Sequence, residues 1–212
     1  MSFQVLDLGR MGFSECEGLQ GEILERVISG QGPNTLVLVE HPPVITLGAN
    51  FHEKNVLRSR EELREKGIEV FRTDRGGDVT FHGPGQLVAY PIFSLDLVNR
   101  DLHRWLRTLE EAVLATVKEF GLEGRRFAPH TGVWIGDEKV CAIGVKIRKW
   151  VSKHGLALNC DVDLRFYEDI IPCGIEDYPV TSLSRASGRV ITVEDAKPVL
   201  VESFANLFGR YT

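Results

Sequence analysis

A cysteine stands between a proline and a glycine in the stretch EDIIPCGI, residues 168 to 175. Proline fixes its own backbone angle and glycine permits shapes that other residues resist, so Cys173 is expected on a defined turn from which its sulfur can face a cleft. A thiolate so placed is a nucleophile for acyl chemistry, provided something stabilises its charge. The same triplet also suits a small buried hydrophobe, and these three residues leave both readings open. Lys139, in EKVCAIG, is a candidate partner. It begins a strand whose next residues include Ala142 and Gly144, small enough to leave room for a ligand beside the sheet. Read alone, a lysine at a strand end equally serves as a solvated edge residue. A free cysteine is only in small part thiolate at neutral pH, and an adjacent ammonium favours the charged form. Together the thiol and the lysine support a cysteine acyltransferase.

The third feature is the glycine-rich segment DRGGDVTFHGPGQ, residues 74 to 86, with Arg75 and His82 at its flanks. Glycines allow close approach of backbone to a ligand. The segment has neither the spacing of a phosphate loop nor a helix after it, so no nucleotide motif is present. Two tight turns bounding a hairpin explain the glycines as well. The fourth is HGLALNCDVD, where Gly155, Leu156 and Ala157 continue the run of small and apolar residues. His154, Cys160, Asp161 and Asp163 are metal-ligand types without ligand spacing, and no metal is expected. No GxSxG elbow supports a serine hydrolase.

These segments must be held by regular elements. FQVLDLG reads as a first strand and residues 13 to 29 as a helix. NTLVLVEHPPVITLG reads as two strands broken at Pro42 and Pro43, and SREELREKG as a short helix ending at Gly67. Residues 68 to 92 read as strand, glycine loop, strand, glycine turn, strand. The clearest helix covers 101 to 120, capped by Asp101, with Leu102, Trp105, Leu106, Leu109, Val113, Val117 and Phe120 on one face. A hairpin turning at GDE follows, then a strand alternating from Leu156 to Leu164, and a closing helix over 193 to 208. Runs of strands between a few helices indicate an α+β domain, a mixed or antiparallel sheet with helices packed on one side.

The chain has 212 residues, 43% of them hydrophobic, which suits one domain over residues 1–212. No apolar run is long enough to span a membrane, and the first residues lack the pattern of a signal peptide. Four scattered cysteines and no secretory signal point to a reducing cytoplasm rather than to disulfides. A net charge of −5 argues against nucleic acid as a partner. Lys146, Arg148, Lys149 and Lys153 are candidates for a basic cluster, suited either to an acidic partner or to a solvated strand edge.

RGGDVTFHGPGQLVAYPI, EKVCAIGVKI, HGLALNCDVDL and IIPCGI, in this order and at these separations, resemble the lipoyl(octanoyl) transferases. HPPVITLG at residues 41 to 48 and VTSL at 180 to 183 extend the likeness, which covers roughly residues 5 to 205. The resemblance implies a fold like that of the biotin and lipoate protein ligase catalytic domains. It implies transfer of an octanoyl group from octanoyl-acyl carrier protein to a lysine of lipoyl domains, those of 2-oxoacid dehydrogenase complexes and the glycine cleavage H protein. It implies no cofactor, since the acyl group arrives on the carrier's phosphopantetheine. By the same resemblance Cys173 is the acyl-accepting nucleophile and Lys139 assists it. The acyl-binding positions fall on Arg75, Gly76, Gly77, Asp78, Val79, Thr80, Phe81 and His82, on Ala142, Ile143 and Gly144, and on Gly155, Leu156 and Ala157. Cys141 and Cys160 are further thiols near this expected site. Three rivals remain: an ATP-dependent lipoate ligase of the same fold, which has no need of Cys173, a related amidotransferase that shifts octanoyl groups between two lipoyl-type proteins, and a non-catalytic acyl-binding domain.

Overall fold

The computed structural model describes residues 2–172 and 179–211, so Cys173 lies outside the described residues. The chain begins with β1 (Ser2–Arg10), α1 (Phe13–Ile28), β2 (Thr35–Glu40) and β3 (Val44–Leu47). It continues through α2 (Arg60–Glu65), β4 (Glu69–Arg72), β5 (Val79–His82), β6 (Gln86–Ile92) and α3 (Leu102–Glu119). Then come β7 (Gly124–Phe127), β8 (His130–Ile135), β9 (Glu138–Arg148), β10 (Val151–Asn159), α4 (Leu183–Ser187), α5 (Val193–Phe208) and β11 (Arg210–Tyr211).

Eight strands form one sheet in the order β11-β1-β2-β6-β10-β9-β8-β7, and three form a second in the order β4-β3-β5. The large sheet is mixed: β1 runs parallel to β2 and β11, and the pairs from β2 to β7 are antiparallel. The two sheets part at Pro42 and Pro43, which lie between β2 in one and β3 in the other. Proline cannot donate to a ladder, so the pair ends one set of hydrogen bonds before the next begins.

One face of the large sheet is covered by α3 and α5. Trp105, Leu109, Val113, Val117, Leu200 and Phe204 pack there on Leu36, Leu38, Leu87, Leu156 and Leu158. The opposite face carries α1, whose Cys16 and Leu24 meet Val37, Val39, Val88 and Tyr90. Helices therefore lie on both faces rather than one, because β6 and β10 alternate between apolar residues on each side. The small sheet has its own core of Ile45, Leu47, Val79 and Phe81 with Tyr167 and Ile170. Asp101 caps α3 as its sequence suggests, accepting from the Arg104 N–H at 3.0 Å. Leu102 is exposed, since it precedes the first buried turn. The strand expected to reach Leu164 ends at Asn159, and Leu164 opens a short 3-10 helix instead.

Candidate active site

The space between the two sheets holds a narrow cavity. Its floor is the face of β9 and β10 turned away from α3. Strand register sets small residues there in pairs: Ala142 opposite Ala157, and Gly144 opposite Gly155. Val88 of β6 pairs with Ala157, and continuing that register one residue at a time along the same face puts Tyr90 beside Gly155. In the other direction Gln86 pairs with Asn159. The roof is the loop Arg75–Gly77 with Thr80 and His82 of β5, and Phe13 at the start of α1 closes a side. Of the acyl-binding positions expected from sequence, Arg75, Gly76, Gly77, Thr80, His82, Ala142, Ile143, Gly144, Gly155, Leu156 and Ala157 all line this space.

Three do not. Val79 and Phe81 alternate with Thr80 on β5, so their side chains enter the small sheet's core. Asp78 turns to the segment before α2, accepting from Asn55 Nδ2 at 2.6 Å and from His52 N and Nδ1 at 3.1 Å. That segment carries the chain leading to Cys173: the Asn55 carbonyl accepts the Ile171 N–H at 2.8 Å, and Val56 bridges Ile170. Asp78 thus joins the glycine loop to the stretch that ends at the thiol.

Arg75 is buried and serves its own loop. Its guanidinium donates to the carbonyls of Thr46 at 2.7 Å, Asp78 at 2.8 Å and Gly76 at 3.1 Å. The Gly76 N–H in turn donates to the Val145 carbonyl at 2.9 Å, seating the loop on β9. Gly144 is needed beneath it, since a Cβ there would meet the Gly76 carbonyl oxygen at 2.8 Å.

Lys139 is 6% exposed and stands three residues before Ala142 on β9. A β-bulge decides where it points. Val133 pairs with Cys141 but Trp134 with Lys139, so Val140 is the extra residue. Val140 and Cys141 both enter the core under α3, and Lys139 is thereby turned to the cavity's face of the sheet. Its ammonium lies 5.0 Å from the centre of the Trp134 ring. Its stem passes Gly132, where a Cβ would lie 3.5 Å from Lys139 Cε and 2.5 Å from the Cys141 carbonyl oxygen. The backbone of Lys139 bonds both Pro179 and Thr181 at 2.9 Å, so the chain just after residues 173–178 returns to this lysine.

The three described thiols are unsuited to nucleophilic attack. Burial pushes Cys16 and Cys160 up to about 12 and raises Cys141 further. Cys141, though two residues from Lys139, belongs to the opposite face. The cavity walls are also poor in charge. Burial lowers His154 and raises Tyr90, and burial together with the nearby His41 lowers His82 to about 3. His82 Nδ1 donates to Gln86 Oε1 at 2.7 Å, and Gln86 Nε2 donates to Asn159 and Tyr167 at 2.9 Å. Asn159 Nδ2 reaches the Thr181 carbonyl at 2.9 Å, linking this polar end to the lysine's neighbour.

At the cavity's other end, Glu17, Asp74 and His154 bring three metal-ligand atoms within 4.8 Å of one another. Lys153 already supplies a positive charge there, 3.6 Å from Glu17 and 3.5 Å from Asp74. The hydrogen bond from His154 Nε2, at 2.7 Å, holds Asp74 well below the usual carboxylate range. Lys146, Arg148 and Lys149 are the exposed members of the basic cluster, with Arg148 paired to Glu25. Phe13, Val88 and Tyr90 line the cavity without having been singled out from sequence. The alternation of Val88 and Tyr90 along β6 carried that signal, whereas nothing local marked Phe13.

Residues 15–205 match the lipoyl protein ligase A/B catalytic domain family. An octanoyltransferase of Rubrobacter xylanophilus is 48% identical over 203 residues, covering 95% of this chain and 91% of that protein. Among solved structures, lipoate-protein ligase A bound with ATP superposes with a TM-score of 0.81 at 18% identity, over 100% of this chain and 87% of that one. A bi-partite lipoate protein ligase from Thermoplasma acidophilum, described with its E2 lipoyl domain, gives 0.71 at 16% identity, over 99% and 85%.

Proposed function

The chain belongs to the octanoyltransferases of the lipoyl protein ligase A/B catalytic domain family, and we propose that it works through an octanoyl-Cys173 thioester without ATP. It is an acyltransferase of protein lipoylation. The observation that carries the mechanism is the fate of the thiols: the sequence has four, and the three described ones are buried with their pKa values pushed up. Cys173 is the one left, and the described residues on either side of it are tied to Asn55 and to Lys139.

In the first step the Cys173 thiolate attacks the thioester carbonyl of octanoyl-acyl carrier protein. A bond forms from carbon to Cys173 sulfur, the bond to the pantetheine sulfur breaks, and the leaving thiolate takes a proton from the Lys139 ammonium. In the second step the acceptor lysine, as free amine, attacks the acyl-enzyme. Lys139, now neutral, receives the proton that the amine sheds, and the Cys173 thiolate leaves. Thioester exchange is near balance and conversion of thioester to amide runs downhill, so neither nucleotide nor other cofactor is required. The acceptors are lipoyl domains, those of 2-oxoacid dehydrogenase complexes and the glycine cleavage H protein. The T. acidophilum ligase of the same fold is described with such a domain. A sheltered octanoyl tail contributes on the order of 5 kcal/mol to binding, at about 0.8 kcal/mol per methylene. Walls of small residues and neutral histidines shelter it from water. Among the described residues no helix is long and apolar enough to cross a membrane. We place the reaction in the cytoplasm, where free thiols stay reduced.

The test is octanoyl transfer from carrier protein to an isolated lipoyl domain in the absence of ATP. The wild type is expected to acylate the domain and Cys173→Ser to lose that activity while keeping its thermal unfolding profile. Turnover that demands ATP and survives alkylation of the thiol would assign ligase chemistry instead.

A further inference from the structure

The cavity face of β6, β10 and β9 is stepped into three tiers. Gln86 and Asn159 form a polar tier beside the Lys139 end. Val88, Ala157 and Ala142 form a middle tier, and Tyr90, Gly155 and Gly144 a far one. Successive residues on one face of a strand are about 6.6 Å apart, so the far tier lies about 13 Å from the polar one. An extended octanoyl chain measures about 9 Å from carbonyl carbon to methyl, each bond of about 1.5 Å advancing it by about 1.3 Å. Started at the polar tier, it crosses the middle tier and stops short of the far one. Ten and twelve carbons bring the methyl against Tyr90.

The far tier is built not to yield. Over Gly144 the Gly76 carbonyl closes the space, held by the Gly76 bond to Val145. On the β6 side stands Tyr90. His41 is fully buried and its Nδ1 donates to the Met11 carbonyl at 2.7 Å. Its Nε2 is then the acceptor, and the Tyr90 hydroxyl donates to it at 2.9 Å. Swinging Tyr90 aside would leave that buried nitrogen without its donor. The His154 ring packs edge-on against the tyrosine at 6.3 Å, and its backbone takes a left-handed φ of +58°. Its Nε2 is anchored outward on Asp74.

We propose that Tyr90, clamped between His41 and His154, is the residue that limits acyl-chain length in this cavity. The proposal rests on the reading of the cavity as the acyl site. Ala142 in the middle tier is its counterpart: added bulk there shortens the space, just as lost bulk at Tyr90 lengthens it. A methylene in a well-fitted apolar pocket changes selectivity by about tenfold or more.

The experiment measures kcat/KM with six-, eight-, ten- and twelve-carbon acyl-carrier thioesters, together with formation of each acyl-enzyme by intact mass. Wild type is expected to peak at eight carbons. Tyr90→Ala should raise the ten- and twelve-carbon rates relative to eight by about tenfold. Tyr90→Phe, which keeps the ring but loses the bond to His41, should raise the longer chains by less than Tyr90→Ala, and Ala142→Val should move the peak to six. Tyr90→Leu carries the same readout if the alanine variant does not fold. A folded Tyr90→Ala or Tyr90→Leu enzyme with the wild-type profile would overturn the proposal while leaving the transferase intact, as would a wild type indifferent to chain length. Failure of the wild type to form an acyl-enzyme with any chain would reject the acyl-site reading itself.

Discussion

On one face of β9 and β10, Val140, Cys141, Leu156 and Leu158 are packed beneath α3 and α5. On the other, the same strands present Ala142, Gly144, Gly155 and Ala157 to open space. The first face is buried in the core, and the burial that makes Cys141 a good core residue pushes its thiol pKa up, out of the reactive range. The second face gives up that packing for a cavity, and Lys139 is turned to it toward the polar end. A single extra residue, Val140, moves Lys139 from the first face to the second. Two residues of register thus separate a core thiol from a lysine turned to the cavity's face of the sheet.

The largest effect is expected at the point where the faces are exchanged. Lys139→Ala should lower the octanoyl-transfer rate by about 10²–10⁴-fold, the range for a positioned proton donor and acceptor. It should also raise the pKa of Cys173 in a thiolate titration. An unchanged titration would remove the coupling between the two residues. On the packed face, Leu158→Ala should cost about 2–5 kcal/mol of unfolding free energy by cavity formation. Chemical denaturation measures it, and the rate of Cys173 alkylation in the folded state should not change. The smallest effect concerns the buried histidines around the cavity. His41, His82 and His154 all have folded pKa values lowered by burial, His82 to about 3. Unfolded histidine titrates near 6.5, so below that pH the unfolded chain binds more protons. Stability is present in full above about pH 6.5 and falls as the pH drops toward 3, His82 alone accounting for about 2 kcal/mol by pH 5. Denaturation at pH 7, 6 and 5 should show this slope, and Leu158→Ala should shift the curve without altering it. A flat profile would contradict the assignment of these histidines as neutral.

Much of this architecture was legible from local pattern. The periodicity of Trp105, Leu109, Val113 and Val117 gives α3 its buried stripe, and Gly136 and Asp137 join β8 to β9 where the sequence places a turn. The glycine loop and the small-residue strands meet in one cavity, as the family resemblance implied and their composition alone did not. What was not legible depends on distant partners. Pro42 and Pro43 read as a strand break, but not as the passage between two sheets. Simple alternation would put Lys139 on the same side as Cys141, and only pairing with β8 reveals the bulge. The Tyr90–His41 bond joins residues 49 positions apart. Asp78 looked like part of a ligand loop, and its carboxylate instead holds His52 and Asn55, which no local rule connects to it.

The central claim is that the acyl group passes through a thioester on Cys173. Intact mass of the purified protein after incubation with octanoyl-acyl carrier protein, without ATP, tests it most directly. An octanoyl adduct on wild type, absent from Cys173→Ser and discharged when a lipoyl domain is added, is the result expected. An adduct that persists in Cys173→Ser, or a wild type that acylates the domain without ever carrying the adduct, would contradict the account.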